Sequence, residues 1–316
     1  MDLAEVAPPQ ALAAHRPDAH LAALEGGAPR ARCSLWWREA PALPGERIGV
    51  IGHFDAAAGA ADAARALLED ACRRLAAQGA TLAVGPMDGN TWRSYRLVSD
   101  AGTEPPFFLE PWTPLEWNAH FKAAGFAPLA TYHSSVTTDL AGVDPRVPQA
   151  AARLAENGVR IRMLEAKRFV AELERIHELS VTAFSRNYLY TPLGREAFVA
   201  QYLPVERHVD PRLVLVAEHE GAIAGFLFAV PDLAQASRGA RVDTVVVKTV
   251  AVRPGRRYAG LGAVLTAECH ARAAQAGFRR AVHALMHDAN SSANISRRYA
   301  DILRRYTLYS RRLAAG

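Results

Sequence analysis

Two glycines beside the start of a predicted helix are the clearest chemical signal in this sequence. Gly260 and Gly262 follow an apolar, β-branched run that ends at Val252, and the apolar spacing after them predicts a helix over residues 261–275. Glycine lets a backbone approach a ligand without a Cβ in the way, and the free N–H groups of a helix N-terminus attract anions. With Arg257 just upstream, the pattern predicts a diphosphate site, although a tight turn with close helix–strand packing would also need glycine.

This junction differs from the two commonest phosphate-binding motifs. No Gly-Lys-Ser/Thr follows the glycines, which excludes a Walker A loop. A third glycine, expected in a Rossmann fingerprint, is replaced by Leu265. The ligand class therefore has to come from the surrounding elements.

The elements around the junction occur twice along the chain. Strand 47–52, helix 62–78 and strand 81–84 in the first half are echoed by strand 243–252, helix 261–275 and strand 281–286 in the second. Further strands are predicted at 32–37, 126–134, 159–163, 213–218, 222–230 and 303–313, and further helices within 1–30 and at 115–124, 169–184 and 290–299. We interpret this as an α/β protein with an internal duplication. The Pro- and Gly-containing linker 139–149 places the boundary between domains 1–145 and 146–316.

Length and composition agree with two globular domains. The chain has 316 residues, of which 50% are hydrophobic and 22% charged, and its net charge of +5 is too small to argue for a nucleic-acid partner. Cys33, Cys72 and Cys269 lie too far apart for a zinc site or a disulfide framework, so we expect no metal and a reducing compartment. The sequence shows neither a secretory signal pattern nor a membrane-spanning run. These features predict a cytoplasmic protein without a membrane partner.

The glycine junction resembles a family motif. Arg257-Tyr258-Ala259-Gly260-Leu261-Gly262 matches the acyl-CoA-binding pattern Arg/Gln-x-x-Gly-x-Gly/Ala of the GCN5-related N-acetyltransferase (GNAT) superfamily, and the order of elements over about residues 150–316 agrees. The resemblance implies a tandem GNAT fold, with a mixed central sheet flanked by helices in each half and the catalytic domain in the second half. The loop 54–60 of the first half lacks the motif, which implies a degenerate GNAT-like domain without a cofactor.

The resemblance also implies the roles of individual residues toward acetyl-CoA or another acyl-CoA as co-substrate. The backbone of Val250, Ala251 and Val252 would pair with the pantetheine arm like an added strand. Asn290 corresponds to the asparagine that opens the family's next helix near the thioester. The pyrophosphate would lie on the amides of Arg257, Tyr258, Ala259, Gly260, Leu261, Gly262 and Ala263.

A second set of residues resembles one branch of the family. His283 interrupts an apolar strand, Thr249 precedes the pantetheine-binding segment, and Arg298 follows Asn290 on the next predicted helix. A Thr–His–Arg set of this kind resembles the GNAT-like loading domains of polyketide synthases, which implies His as acid or base, Thr as a donor to the carbonyl and Arg as a carboxylate clamp. His283 as a core histidine and Thr249 as an ordinary strand residue remain alternatives.

The general acid is the least defined part of the predicted site. Many GNAT members place a tyrosine seven residues after the motif asparagine, where this chain has Arg297. Tyr306 is the candidate we name in its place, with Tyr299 and Tyr309 nearby. The aromatic segment 184–192 is expected to overhang the substrate, either lining an acyl or acceptor pocket or packing as a lid.

Three functions fit this pattern. The leading one is a GNAT N-acyltransferase that moves an acyl group from an acyl-CoA or an acyl carrier protein to a small-molecule or peptide amine. The alternative is malonyl-CoA decarboxylation with starter-unit loading on an acyl carrier protein, as in secondary metabolism. The third is a CoA-binding module without catalysis.

Overall fold

The first half of the chain is built mainly from strands. The computed structural model describes residues 1–142, 144–289 and 300–314. The strands of the first half are β1 (Asp2–Glu5), β2 (Ala19–Glu25), β3 (Ala28–Trp36), β4 (Ile48–Ala56), β5 (Leu82–Gly85), β6 (Leu97–Asp100) and β7 (Ala127–Thr137). Its helices are α1 (Gln10–Ala13), α2 (Ala61–Ala77) and α3 (Glu116–Ala123).

The second half begins with a helix that starts at the end of the predicted linker 139–149 and continues beyond it. Its helices are α4 (Val147–Glu156), α5 (Phe169–Ala183), α6 (Arg195–Tyr202), α7 (Leu233–Ser237) and α8 (Leu261–Gln275). Its strands are β8 (Arg160–Met163), β9 (Val214–His219), β10 (Ala222–Pro231), β11 (Thr244–Val252), β12 (Arg280–His287) and β13 (Asp301–Arg312).

All the strands join one sheet, because the two halves exchange their last strands. The order is β1-β2-β3-β4-β5-β13-β7-β12-β11-β10-β9-β8, and β6 adds to β13. Strand β7 of the first half therefore lies between β12 and β13 of the second, and β13 lies between β5 and β7. The predicted boundary at residue 145 falls between β7 and α4, but each half completes its part of the sheet with the other's final strand.

Apolar residues on both faces of this sheet are covered by helices. Helix α2 packs on the first half in a core cluster that includes Leu67, Leu68 and Leu75. Helix α8 covers one face of the second half through Leu261 and Leu265, and helices α5 and α6 cover the other through the cluster listed here: Leu173, Ile176, Leu179 and Phe198. The α/β fold with a mixed sheet flanked by helices in each half is confirmed. No helix of the described residues is both long and apolar enough to cross a membrane.

The prediction for the first 30 residues was wrong. They contain the short helix α1, but most of them form β1, β2 and the start of β3, which pair antiparallel with one another. Strand β6 and helices α6 and α7 were also missed. The helix predicted over residues 290–299 lies outside the described residues.

Candidate active site

Strand β11 has a free edge next to the glycine junction. It pairs in parallel with β12 only from Thr244 to Val247, which lie opposite residues 280–283. Beyond this point the two strands separate, and within the described ranges no strand pairs with residues 248–252 on that side, while β10 pairs with the other side. The backbone of residues 250–252 is therefore placed where an extended arm could add as a strand.

The predicted anion cradle begins where β11 ends. Gly260 caps helix α8 with φ 84°, a left-handed conformation that glycine adopts without strain. The first-turn amides of residues 261–263 have no acceptor within the helix, and Val264 is the first to bond back, 3.0 Å from the Gly260 carbonyl. Helix α4 supports the loop, because the Arg153 guanidinium donates to the Ala259 carbonyl. The cradle therefore has free amides at a helix N-terminus.

The side chains of the cradle divide into buried and exposed ones. Tyr258 and Leu261 belong to the core against α8, and the Tyr258 hydroxyl lies 3.0 Å from His219 Nδ1. The Arg257 side chain is 61% exposed, with its Nη1 3.7 Å from the Glu220 carboxylate. Leu261 can thus offer a ligand its backbone amide, and Arg257 can offer its charge. The amides of Tyr258 and Ala259, which the sequence also placed in the cradle, instead donate to the carbonyls of Gly255 and Arg256, each at 3.1 Å.

The matching edge in the first half is occupied by the chain itself. The Met87 amide donates to the Ile51 carbonyl at 2.9 Å, and the His53 amide donates to Asp88 Oδ1 at 2.6 Å. A side chain at Gly52 would collide with the Met87 carbonyl. The segment 87–88 therefore takes the position along β4 that an extended ligand arm would need.

A cleft of about 1220 Å³ extends from the free edge of β11 toward the first half of the chain. On the cofactor side its wall includes residues 249–252, Gly262 and Thr266. On the opposite side it is lined by the loop 91–96 and by Tyr132. A ligand held at the cradle would point its far end into this cleft.

His283 lines the cleft but is paired with a second histidine. Its Nε2 lies 2.9 Å from Nε2 of His270 on α8. Burial lowers the pKa of His283 to about 3, and burial lowers the pKa of His270 to about 4. Both rings are therefore neutral near pH 7. At that pH a protonated His283 would release its proton readily.

Thr249 and His283 face opposite sides of the sheet. Phe228 pairs with Thr249 and its neighbour Ala229 with Val247, which leaves Lys248 as the extra residue of a β-bulge. Because of this bulge Val247 and Val250 both pack against the α8 side, and Thr249 points away from it. His283 contacts α8 through His270. Both residues line the cleft, which they reach from opposite faces of the sheet, and their joint action at the thioester stays a prediction.

Tyr306 lies in the core behind the cleft wall, with no exposed surface. Its hydroxyl donates to Glu110 Oε1 at 2.5 Å and lies 3.0 Å from Ser134 Oγ. Burial raises the pKa of this hydroxyl, and the Glu110 charge acts in the same direction. The expectation of Tyr306 as general acid is corrected here, because its proton is committed to Glu110. Asn290, Arg298 and Tyr299 lie outside the described residues, so their roles stay predictions.

The aromatic segment after α5 forms part of the cleft wall, and its role toward an acyl group or an acceptor stays a prediction. Phe184, Tyr188 and Tyr190 line it. The segment is fastened to the first half, because Trp92 Nε1 donates to the Thr191 carbonyl at 2.7 Å. The first half of the chain thereby helps to shape the cleft.

Sequence reasoning missed several polar residues of the cleft wall, among them Arg96, Lys248 and His287. Lys248 interrupts a β-branched run, which is a signal that could have been used. Arg96 and His287 carry no comparable signal, since they reach the cleft through long-range packing. Among the described residues, no group of three or more His, Cys, Asp or Glu side chains is arranged to hold a metal ion.

The paired histidines predict a loss of stability in acid. Their pKa values in the folded protein lie below the ordinary value near 6.5, so the unfolded chain binds protons that the folded chain does not. The contribution of the two neutral histidines to the free energy of unfolding is complete above about pH 6.5. It is lost as the pH falls toward 4 and 3, and the free energy of unfolding then drops by about 1.4 kcal/mol per pH unit for each proton. In His270→Gln, we expect the slope of the unfolding free energy between about pH 4 and 6, measured with urea, to fall by about one proton. His208→Gln, outside the pair, is the control, and an unchanged slope in His270→Gln would contradict the assignment.

Known proteins resemble parts of this chain in sequence. Residues 173–295 match the model of the acetyltransferase (GNAT) family. A bacterial ceramide synthase from Caulobacter vibrioides is 27% identical over 191 residues, which are 58% of this chain and 49% of that protein. The chain thus spans about half the length of this curated relative.

Solved structures share the whole fold at low identity. A GCN5-related N-acetyltransferase from Sphaerobacter thermophilus aligns with a TM-score of 0.53 and 13% identity, covering 94% of this chain and 81% of its own. A tandem GNAT protein from the clavulanic acid biosynthesis pathway aligns with a TM-score of 0.50 and 14% identity, covering 94% and 83%. The likeness to polyketide synthase loading domains is not tested by these matches and stays a prediction. Residues 173–295 thus match the acetyltransferase (GNAT) family model, and the chain as a whole shares its fold with solved GNAT structures, one of them a tandem GNAT protein.

Proposed function

We propose that the cleft of the second half transfers an acyl group from an acyl-CoA to an amine. The observation that carries this proposal is the free edge of β11 at residues 250–252 beside the unbonded amides of α8. An acyl-CoA bound there would keep its pyrophosphate at the helix N-terminus and would direct its thioester into the cleft. The two-sided cleft leaves room for an acceptor against the first half of the chain.

The chemistry needs a neutral amine and a place for one proton. The amine nitrogen attacks the thioester carbon, the C–N bond forms, the C–S bond breaks and the CoA thiolate takes up a proton. A protonated amine must first lose a proton, and neutral His283 could pass that proton on without keeping it. The Thr249 hydroxyl, on the wall of the same cleft, could donate a hydrogen bond to the carbonyl oxygen.

The acyl group is proposed to be long and apolar. Beyond the free edge, the cleft runs beneath α5 and α6. We call this part of the cleft the acyl chamber, and its wall is formed by apolar and aromatic side chains: Leu173, Ile176, Phe198, Val209, Phe226 and Phe228. An acetyl group would leave this chamber empty, whereas a fatty chain would bury its methylenes there at about 0.8 kcal/mol each. The Caulobacter relative is named as a ceramide synthase, and ceramide is a fatty acyl amide, which supports the same substrate class.

The test is a comparison of acyl-CoA donors. We expect thiol release that requires an amine, with palmitoyl-CoA favoured over acetyl-CoA, when sphinganine and a panel of α-amino acids are offered as acceptors. Ile176→Trp narrows the chamber and should lower palmitoyl transfer by about tenfold or more while acetyl transfer in the same variant serves as its own control.

Other outcomes would separate the alternatives. Release of carbon dioxide from malonyl-CoA without an amine would favour the decarboxylase. Transfer only from a loaded acyl carrier protein would replace CoA as the donor. Binding of one CoA without any turnover would favour a non-catalytic module and contradict the proposal.

A further inference from the structure

Arg96 holds a positive charge in the wall of the cleft, on the side that the acceptor would occupy. The residue is 6% exposed and lines the cleft. Its guanidinium carbon lies 3.9 Å from the ring centroid of Tyr95 and 4.1 Å from that of Tyr132. The two rings hold the guanidinium between the sheet and the cleft.

Two of the three guanidinium nitrogens of Arg96 lack an acceptor within the described residues. Its Nε and Nη1 are buried and have no hydrogen-bond partner there. Arginine keeps its charge in proteins, and aromatic faces stabilise that charge without accepting its in-plane N–H groups. A buried charge without a partner is costly, and such charges are normally paired. Across residues 1–142, 144–289 and 300–314, this buried charge therefore keeps two nitrogens without an acceptor.

The neighbouring groups do not complete it. Lys248 and His287, which face the same space, are electrostatically unfavourable neighbours of Arg96. Glu110 is the carboxylate of the described cleft wall, and its Oε1 lies 2.6 Å from Arg304 Nε and accepts from Tyr306. The wall also includes Arg93 and Arg186. The cleft thus has an excess of positive charge that an anionic ligand would balance.

The backbone at Arg96 is held in an unfavourable conformation. Its φ is 72°, which is uncommon for a residue with a side chain, and its amide donates to the Pro86 carbonyl at 2.8 Å. Residues in such conformations are concentrated at functional sites, where the surrounding structure maintains the strain. At Arg96 this backbone conformation places the guanidinium in the wall of the cleft.

We propose that Arg96 binds a carboxylate of the substrate, so that the acceptor is an amine that also bears a carboxylate. That the carboxylate belongs to the acceptor rests on the proposed acyl transfer. The carboxylate site itself does not depend on that proposal. A planar guanidinium matches a carboxylate geometrically through paired N–H groups. The same chemistry could come from the acyl group, as in malonyl-CoA, and the experiment distinguishes these sources.

The experiment compares ligands that differ only in the carboxylate. Isothermal titration into the CoA-bound protein compares L-leucine with L-leucinamide, and titration into the free protein compares malonyl-CoA with acetyl-CoA. We expect leucine to bind about 10- to 100-fold more tightly than leucinamide, as for hydrogen bonds to charged groups. Arg96→Gln should remove this preference and leave the affinity for CoA unchanged. Arg65→Gln, a charge removal on α2 outside the cleft, is the matched control.

Each result decides the proposal without relying on turnover. A preference for malonyl-CoA over acetyl-CoA that Arg96→Gln removes would support the carboxylate site and move its source to the acyl group. Equal binding within each pair by the wild-type protein would overturn it, even if the variant does not fold. A preference that survives Arg96→Gln in folded protein would overturn it as well. If leucine binds as expected but no acyl transfer occurs, the proposed function fails and the carboxylate site stands.

Discussion

Replacement of Gly262 by valine should raise the dissociation constant of CoA by about 10- to 100-fold. Gly262 lies in the first turn of α8 and in the wall of the cleft. A branched side chain there would separate the first-turn amides from the pyrophosphate, and each hydrogen bond to a charged group is worth about 1.5–3 kcal/mol. Isothermal titration of CoA measures the change directly.

Two other glycines make this prediction specific. Gly194→Val is the matched control, because Gly194 has open space around it and lies away from the cradle. Gly260 is a different case, since a Cβ there would lie 3.0 Å from Ala150 Cβ of α4. Gly260→Val therefore tests the left-handed turn and its packing. Unchanged CoA affinity in folded Gly262→Val would remove the proposed cradle.

The elements that carry the motif were predictable because their signals are local. The helix predicted over residues 261–275 is α8 to the residue, and the strand before it differs from β11 by one residue at its start. Hydrophobic spacing and a glycine at the helix start depend only on neighbours in the chain. The same holds for the hairpin of β9 and β10 around Gly221, where φ is 79°.

The first strands were not predictable from local signals. Residues 19–25 are mostly alanine and leucine, which favour a helix in isolation. They form β2 because β1 and β3 supply hydrogen-bond partners on both sides, and strand preference depends strongly on such context. The exchange of β7 and β13 is a pairing of the same long-range kind.

The polar groups of the cleft were also not predictable from local sequence signals. Tyr306 looked available in the sequence, yet the fold buries it against Glu110, a residue far away in the chain. Arg96 reaches the cleft because β6, which it precedes, joins the exchanged strand β13. A cleft wall that is assembled from both halves of the chain cannot be predicted from the residue spacing within one half.

Removal of the Glu110 carboxylate should destabilise the protein by about 3–5 kcal/mol. Glu110 Oε1 lies 2.6 Å from Arg304 Nε, and neither side chain has any exposed surface. Arg304 also donates to the carbonyls of Ala101, Glu104 and Pro105, so the pair joins the loop 101–110 to the exchanged strand β13. In Glu110→Gln the guanidinium stays buried without its counter-charge. Urea unfolding should report this loss, and Glu156→Gln, at an exposed position, should change the unfolding free energy by less than about 0.5 kcal/mol.

The double variant shows whether the loss comes from the unpaired charge. Glu110→Leu with Arg304→Met removes both charges and keeps apolar volume, and such replacements of buried ion pairs are often close to neutral. We therefore expect the double variant to be more stable than Glu110→Leu alone, with a coupling energy of about 1–3 kcal/mol. Additive losses would show that the two side chains act separately. If Glu110→Gln lowers the unfolding free energy by less than about 1 kcal/mol, the ion pair does not hold the loop 101–110 to β13. Other contacts must then position this part of the cleft wall, such as the hydrogen bond that Lys248 Nζ donates to the Leu109 carbonyl at 2.8 Å.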